Sequence, residues 1–347
     1  MGFFLTDWIG NIFKKKEEEK PVAIQLKKIE NQFDVLTEAE EIKKKEKIYL
    51  VLPGGGACGR WQIGAVAWLQ QIGLLKCLTG ITGTSVGGLN GLTIAKYINE
   101  FEKALLMWSG ITCNKDVYEG EIKGGIGGFM GIIGQTFKDN GSKSILRPTG
   151  LYSICDREFK GLTLKDFKDL DVVTTATDIS QIEEDVYTKD NCDLGCEELA
   201  KRTSAIPLAF PPRIGAGRGH LHVDGGFGNN DPVGTAIRRG ATKIIVVATH
   251  PKTKADEKVA DNVFGVGARM PQVAMDFFEQ KMWTAIEIYQ RLAEVSDEYP
   301  TVEFLKLYPD ESTGSALEFG NIEQMQKGYD LAVKYITKEK IMEFFEA

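Results

Sequence analysis

The pentapeptide Gly83-Thr84-Ser85-Val86-Gly87 sets a serine between two glycines, each two positions away. That arrangement suits a nucleophile: at a sharp strand-to-helix elbow the backbones come so close that only glycine fits at the flanking positions, and the serine oxygen is pushed outward. With 38 glycines in the chain, such a match also arises by chance and needs support from elsewhere. A second stretch, Gly54-Gly55-Gly56-Ala57-Cys58-Gly59, follows an apolar run. Acyl transfer by serine requires donors aimed at a developing oxyanion, and glycine backbone lets two or three N–H groups converge where side chains would obstruct them. Gly54, Gly55, Gly56 and Gly59 are the candidates. The competing reading is a phosphate-binding loop, because G-x-G-x-x-G after a strand is also a dinucleotide fingerprint. Two features count against it. The position about 20 residues on, where the fingerprint needs an acidic residue, holds the Ile81–Ser85 elbow, and no Gly-Lys-Ser/Thr is present.

A serine nucleophile needs a base. The chain has 3 histidines, His220, His222 and His250, so a triad in the order Ser85, Asp224, His250 can be written. Asp224, however, ends an apolar run and is followed by Gly225 and Gly226, a place for a carboxylate used directly. A desolvated carboxylate close to the hydroxyl has its pKa raised toward working pH and can itself serve as general base. The Ser85–Asp224 dyad is the favoured expectation, with His222 on the same strand face available to orient Asp224.

The elements that must position these groups are legible as strand, glycine loop, helix. Ile48–Leu52 reads as a buried strand, and Trp61, Ala65, Trp68, Leu69 and Ile72 recur at helical spacing up to a stop at Gly73. The second unit runs from Ile81–Gly83 through Ser85 into a helix bearing Leu89, Leu92, Ile94, Ala95 and Ile98. Further strands are expected at Asp171–Ile179, His220–Asp224 and Lys243–His250. Alternation of this kind predicts an α/β fold with a mainly parallel central sheet flanked by helices.

At this point the chain resembles the patatin-like phospholipase family. The resemblance rests on the loop Gly54–Gly59, the elbow Gly83–Gly87, the segment Thr203–Pro212 (TSAIPLAFPP) and the triplet Asp224-Gly225-Gly226, in that order, with a fainter echo at NIEQMQKGYDLA near the C-terminus. It implies an α/β/α architecture and hydrolysis of fatty-acyl esters of membrane phospholipids without metal or cofactor. Ser85 would be the nucleophile, Asp224 the base, and the Gly55 and Gly56 amides the oxyanion hole. The chain departs from many relatives at Cys58, where they carry Arg or Lys, while a basic residue follows at Arg60. How the loop is braced, and how an anionic head group is handled, is left open by that departure. A catalytically quiet scaffold and a soluble esterase or thioesterase are the alternative functions.

Bulk properties limit the partners. The chain has 347 residues, 43% hydrophobic, with a net charge of −7. That is ample for one large domain with appendages, and it argues against nucleic acid, which needs clustered Lys and Arg. The boundaries expected are an N-terminal amphipathic segment and charged linker over 1–46, a catalytic core over 47–250 and a helical extension over 251–347. Six cysteines without CxxC spacing, and no secretory leader pattern, suggest a reducing, cytoplasmic setting. In the first segment Phe4, Leu5, Trp8, Ile9, Ile12 and Phe13 form a stripe closed by Lys14, Lys15 and Lys16. It suits a helix lying on an anionic membrane surface, or equally one packed on the core or on a second copy. Met1-Gly2 with Thr6 also fits an N-myristoylation pattern. Tyr118–Phe137, glycine-rich yet apolar through Ile126, Phe129, Met130, Ile132 and Ile133, reads as a lid or a core-covering loop. The Pro-rich IPLAFPP shapes a pocket wall or a rigid turn. Val273, Phe277, Met282, Ala285, Ile286, Tyr289 and Leu292 are expected to pack from one long helix, in the core or in a homo-oligomer.

Overall fold

The computed structural model describes residues 24–25, 42–120, 144–215, 219–252, 263–296, 299 and 301–346. Among these residues eight strands form one sheet: β1 (Ile48–Leu52), β2 (Gly80–Thr84), β3 (Asp171–Asp178), β4 (Glu183–Tyr187), β5 (Arg213–Ile214), β6 (Leu221–Asp224), β7 (Lys243–Val247) and β8 (Glu303–Leu307). Their order is β5-β6-β3-β2-β1-β7-β8, with β4 also paired to β3. From β3 through β2, β1 and β7 to β8 every pairing is parallel. The pairings of β3 with β4 and β6, and of β5 with β6, are antiparallel. The described helices used below are α1 (Gly59–Gln71), α2 (Val86–Lys96), α3 (Cys196–Thr203), α4 (Gly226–Asn229), α5 (Val263–Ala293) and α6 (Gln324–Tyr335).

The layering follows from the strand composition. All five residues of β1 are buried, as a parallel strand covered on both faces demands. Alternate residues serve opposite cores. Ile48, Leu50 and Leu52 join Ile245, Val247, Trp61 and Leu69, whereas Tyr49 and Val51 join Ile244, Val246, Val233 and Ile286. α1 closes as its sequence indicates, with Gly73 in the left-handed region at φ 83°.

The region beyond 250 differs from the helical extension expected. It supplies β8, which extends the parallel sheet beside β7, so the sheet runs across the boundary drawn at 250. α6 packs tightly on α1. An ideal Cβ on Gly64 would lie 1.9 Å from the Met325 carbonyl oxygen, and one on Gly328 would lie 2.0 Å from the Trp61 carbonyl oxygen, so a side chain at either position would separate the helices. The Trp68 indole donates to Ile336 O at 3.0 Å and the Tyr329 hydroxyl to Gln71 Oε1 at 2.5 Å. In α5, Ile286 is buried with Met282 and Tyr289 packed beside it, but Phe277, Ala285 and Leu292, expected to pack, are exposed. The covered stripe follows 282, 286 and 289 at i, i+4 and i+7, and these three residues fall outside it.

Candidate active site

Register along β3 brings the site together. Gly80–Thr84 of β2 pairs with Asp171–Thr175, and Asp224–His222 of β6 pairs with Ala176–Asp178. β4 pairs with Thr174–Asp178 and therefore takes the opposite edge. β2 and β6 thus approach end to end along a single edge of β3, Thr84 beside Thr175 and Asp224 beside Ala176. Residues 139 apart in the chain meet where the two strands face each other. Gly225 is needed at that junction, because a Cβ there would lie 2.5 Å from Thr175 Oγ1 and 2.7 Å from Thr175 O.

Ser85 caps α2 with φ 55° and ψ −129°, a strained conformation that few residues other than glycine adopt. The glycines make the elbow possible. A Cβ on Gly83 would meet Gly87 O at 2.3 Å, and one on Gly87 would meet Leu52 O at 1.8 Å. The Ser85 N–H donates to Thr203 Oγ1 at 2.8 Å, and the preceding Thr84 hydroxyl lies 2.8 Å from Thr175 Oγ1 and donates to Asn229 O at 2.9 Å.

The Ser85 hydroxyl donates to Asp224 Oδ2 at 2.6 Å, and both residues are buried. Asp224 Oδ1 accepts the Gly226 N–H at 2.8 Å, and the Asp224 N–H donates to Ala205 O at 2.9 Å. Burial pushes the Asp224 carboxyl up to about 7, against the lowering effect of the Ser85 and Gly226 hydrogen bonds. The segment Thr203–Pro212 therefore holds the backbones of both groups, through Thr203 Oγ1 and Ala205 O, a task that its prolines do not signal. The sequence analysis names this segment but not the contacts that Thr203 and Ala205 make with the two groups.

The histidines take other partners. His222 Nε2 lies 2.6 Å from Asp185 Oδ2, and His220 Nδ1 lies 2.8 Å from Asp178 Oδ2. The expectation that His222 orients Asp224 is corrected: Asp185, brought alongside by the β3–β4 pairing, takes its ring. Because Ser85 bonds to Asp224 directly, no imidazole stands between them, and His250 lies beyond the end of β7.

In the glycine loop the N–H groups divide by partner. Gly54 donates to Asn230 O at 3.1 Å, Ala57 to Ala316 O at 2.8 Å and Cys58 to Gly55 O at 3.1 Å, while Gly59 donates back to Gly56 O within the turn. Gly54 and Gly59, expected among the oxyanion donors, are thus already engaged. Gly54 also needs its lack of a side chain, since a Cβ would lie 2.5 Å from Asn230 Oδ1 and 3.0 Å from Ser85 Cβ. Among the described residues, Gly55 and Gly56 are the loop glycines whose N–H groups have no protein acceptor. The Cys58 thiol is buried and donates to Gly314 O at 3.6 Å, so the loop is tied at this position to the C-terminal region. Arg60 turns inward, donating to Ile111 O with its guanidinium over the Trp108 ring. Burial lowers its pKa to about 10.

One group of metal-ligating type, Asp178, Asp185 and His222, has ligand atoms within 4.8 Å of one another among the described residues. Those atoms are already hydrogen-bonded within the protein: Asp178 Oδ1 accepts the Ser180 and Gln181 N–H groups, Asp178 Oδ2 faces His220, and Asp185 faces His222. The expected lid residues 121–137 and the amphipathic residues 1–16 lie outside the described residues, and so does Val273 as a packing side chain.

The patatin-like phospholipase family model matches residues 50–237, just over half of the chain. The chain belongs to that family. All four patatin-like motifs named above fall in the matched span, whereas β7, β8 and α6 lie beyond it. The mouse patatin-like phospholipase domain-containing protein 7 is 26% identical over 212 residues, which cover 60% of this chain but 14% of the mouse protein. Among solved structures, VipD from Legionella pneumophila aligns with TM-score 0.40 and 14% identity, over 84% of this chain and 66% of VipD. Human GIVD cytosolic phospholipase A2, solved in complex with methyl gamma-linolenyl fluorophosphonate, aligns with TM-score 0.47 and 10% identity, over 90% of this chain and 62% of that one. Among the described residues, no helix is long and apolar enough to cross a membrane.

Proposed function

We propose that this patatin-like protein is a serine acyl hydrolase of phospholipase A type, cleaving fatty-acyl esters of membrane phospholipids with Ser85 as nucleophile and Asp224 as base. The observation that carries the reading is the 2.6 Å hydrogen bond from a strained, buried serine to a buried carboxylate at the C-terminal end of the sheet. Asp224 takes the Ser85 proton as the oxygen attacks the ester carbonyl. The Gly55 and Gly56 N–H groups receive the oxyanion, and protonated Asp224 delivers its proton to the leaving alcohol. Asp224 then deprotonates the water that releases the acyl group from Ser85, so one carboxylate serves both half-reactions. A carboxyl with a pKa of about 7 suits this double role near neutral pH, where both forms are populated.

The working site is a cytoplasmic membrane surface, met by residues 1–16 through their apolar stripe and three lysines. Two measurements test the reading. A fluorophosphonate probe should label the wild type and not Ser85→Ala. Mass spectrometry of mixed liposomes incubated with the protein should show free fatty acid and lysophospholipid. Labelling that persists in Ser85→Ala, or liposomes left intact at every head group supplied, would reject it.

A further inference from the structure

We infer that Thr249 is a positioning residue that sets the direction of the Gly55 N–H, and that Thr313 holds Thr249 in place for that task. This rests on the oxyanion role proposed for Gly55 above. The Thr249 hydroxyl is buried and donates to Gly54 O at 2.5 Å. The Gly54 carbonyl and the Gly55 N–H belong to one planar peptide and point in opposite directions. A bond that fixes the first therefore fixes the second. A glycine-glycine peptide has little steric preference of its own, so without that bond the unit is free to rotate and carry its donor away from the reacting oxygen.

The neighbouring peptide is held differently. The Gly55 carbonyl, partner of the Gly56 N–H, accepts the Cys58 N–H at 3.1 Å from within the loop. One donor is oriented locally and the other from outside. The outside support continues: the buried Thr313 hydroxyl donates to Thr249 O at 2.6 Å. Gly314 O accepts the Cys58 thiol at 3.6 Å, and Ala316 O accepts the Ala57 N–H at 2.8 Å. Gly56, at φ 55°, leaves no space for a side chain, because a Cβ would lie 2.1 Å from Ala316 O. A strap over Thr313–Ala316, together with Thr249 at the end of β7, thus grips the loop. Both lie beyond the 50–237 span that carries the family motifs.

The test compares Thr249→Val, which keeps the shape and removes the hydroxyl, with Thr249→Ser, which keeps the hydroxyl. Turnover of p-nitrophenyl butyrate and thermal unfolding are measured on the full chain. Losing an aligned oxyanion donor costs on the order of a hundredfold in turnover, so Thr249→Val should lose about tenfold to a hundredfold in kcat, with KM within about twofold. Thr249→Ser should regain most of the loss. Thr313→Val, one bond further back, should lose severalfold in kcat at constant KM, and it keeps the test decisive if Thr249→Val does not fold. Unchanged kcat in Thr313→Val or Thr249→Val overturns the inference, as does a Thr249→Ser protein as slow as Thr249→Val. Wild type that neither hydrolyses the ester nor labels at Ser85 is a different failure, which removes the underlying dyad reading as well.

Discussion

At the scale of single residues, the proposed dyad makes Ser85 and Asp224 one unit, so their removal should not be additive. Ser85→Ala and Asp224→Asn should each fold and each lose orders of magnitude in rate, and the double variant should be little worse than either. Full activity in Asp224→Asn combined with loss in His250→Ala would replace the dyad by a triad. The buried carboxyl also dictates pH behaviour. In the proposed mechanism the base must be ionised, so kcat/KM should rise about tenfold per pH unit up to about 7 and then level; a limb ending near pH 4 instead would identify a solvated carboxylate. Stability moves the opposite way. An unfolded aspartate releases its proton near pH 4, while folded Asp224 keeps it until about 7. The folded state therefore binds more protons in that window, and stability falls as pH rises through it. Asp224→Asn is free of this dependence, so its Tm advantage over wild type should grow between about pH 4 and 7 and then stay constant. A difference flat in pH would contradict the buried, proton-retaining carboxyl.

At the scale of elements, the glycine loop and the elbow work because strands end where helices begin, with backbone in contact. Gly56→Val sets a β-branched residue at φ 55° against Ala316 O, and Gly55→Val drives a side chain into Thr249. Both should abolish turnover of a soluble ester, whereas Cys58→Ala forfeits one weak thiol hydrogen bond and should retain activity within a fewfold. Equal damage from Cys58→Ala and Gly56→Val would mean that the thiol, not the backbone, carries the loop's function.

At the scale of the whole molecule, the C-terminal region is structural for the site as well as adjacent to it. β8 extends the sheet, α6 is inserted against α1 through Gly64 and Gly328, and the strap holds the glycine loop. A chain ending at residue 250 should therefore be insoluble or inactive; a truncated protein with wild-type Tm and turnover would make 47–250 an autonomous domain. The proposed membrane role of residues 1–16 predicts that they can be removed without loss of the core chemistry. Deleting residues 1–16 should leave short-chain ester hydrolysis nearly unchanged, while activity on anionic liposomes falls severalfold and co-sedimentation is lost, because apolar burial and lysine attraction act only at a surface. Equal loss on both substrates, with a changed elution volume, would assign that segment to packing or oligomerisation.

What the sequence by itself determined is local. β1, the loop, α1, β2, the elbow and α2 are contiguous, and their apolar periodicity and glycines point to one arrangement of strand, turn and helix, so the placing of Ser85 at an elbow and of Gly54–Gly59 in a turn after β1 was legible from spacing, whereas the internal partners of the Gly54 and Gly59 N–H groups were not. Asp224 was legible through its two following glycines, which the structure explains by the close passage of β6 past Thr175. Only the tertiary structure decided who meets whom. Pairing Asp224 with Ser85 depends on β2 and β6 sharing an edge of β3, and no local pattern encodes a register. β4, sequence EEDVY, is acidic and only half-buried, so it carries no apolar alternation, and the Asp185 that captures His222 could not be placed. Thr203, Thr249 and Thr313 are single hydroxyls in unremarkable surroundings, recognisable only once folding sets Thr203 against the Ser85 N–H, Thr249 against the Gly54 carbonyl and Thr313 against the carbonyl of Thr249. A hydrogen bond across the fold is a property of geometry, and geometry at that range is fixed by the packed sheet rather than by neighbours in the chain.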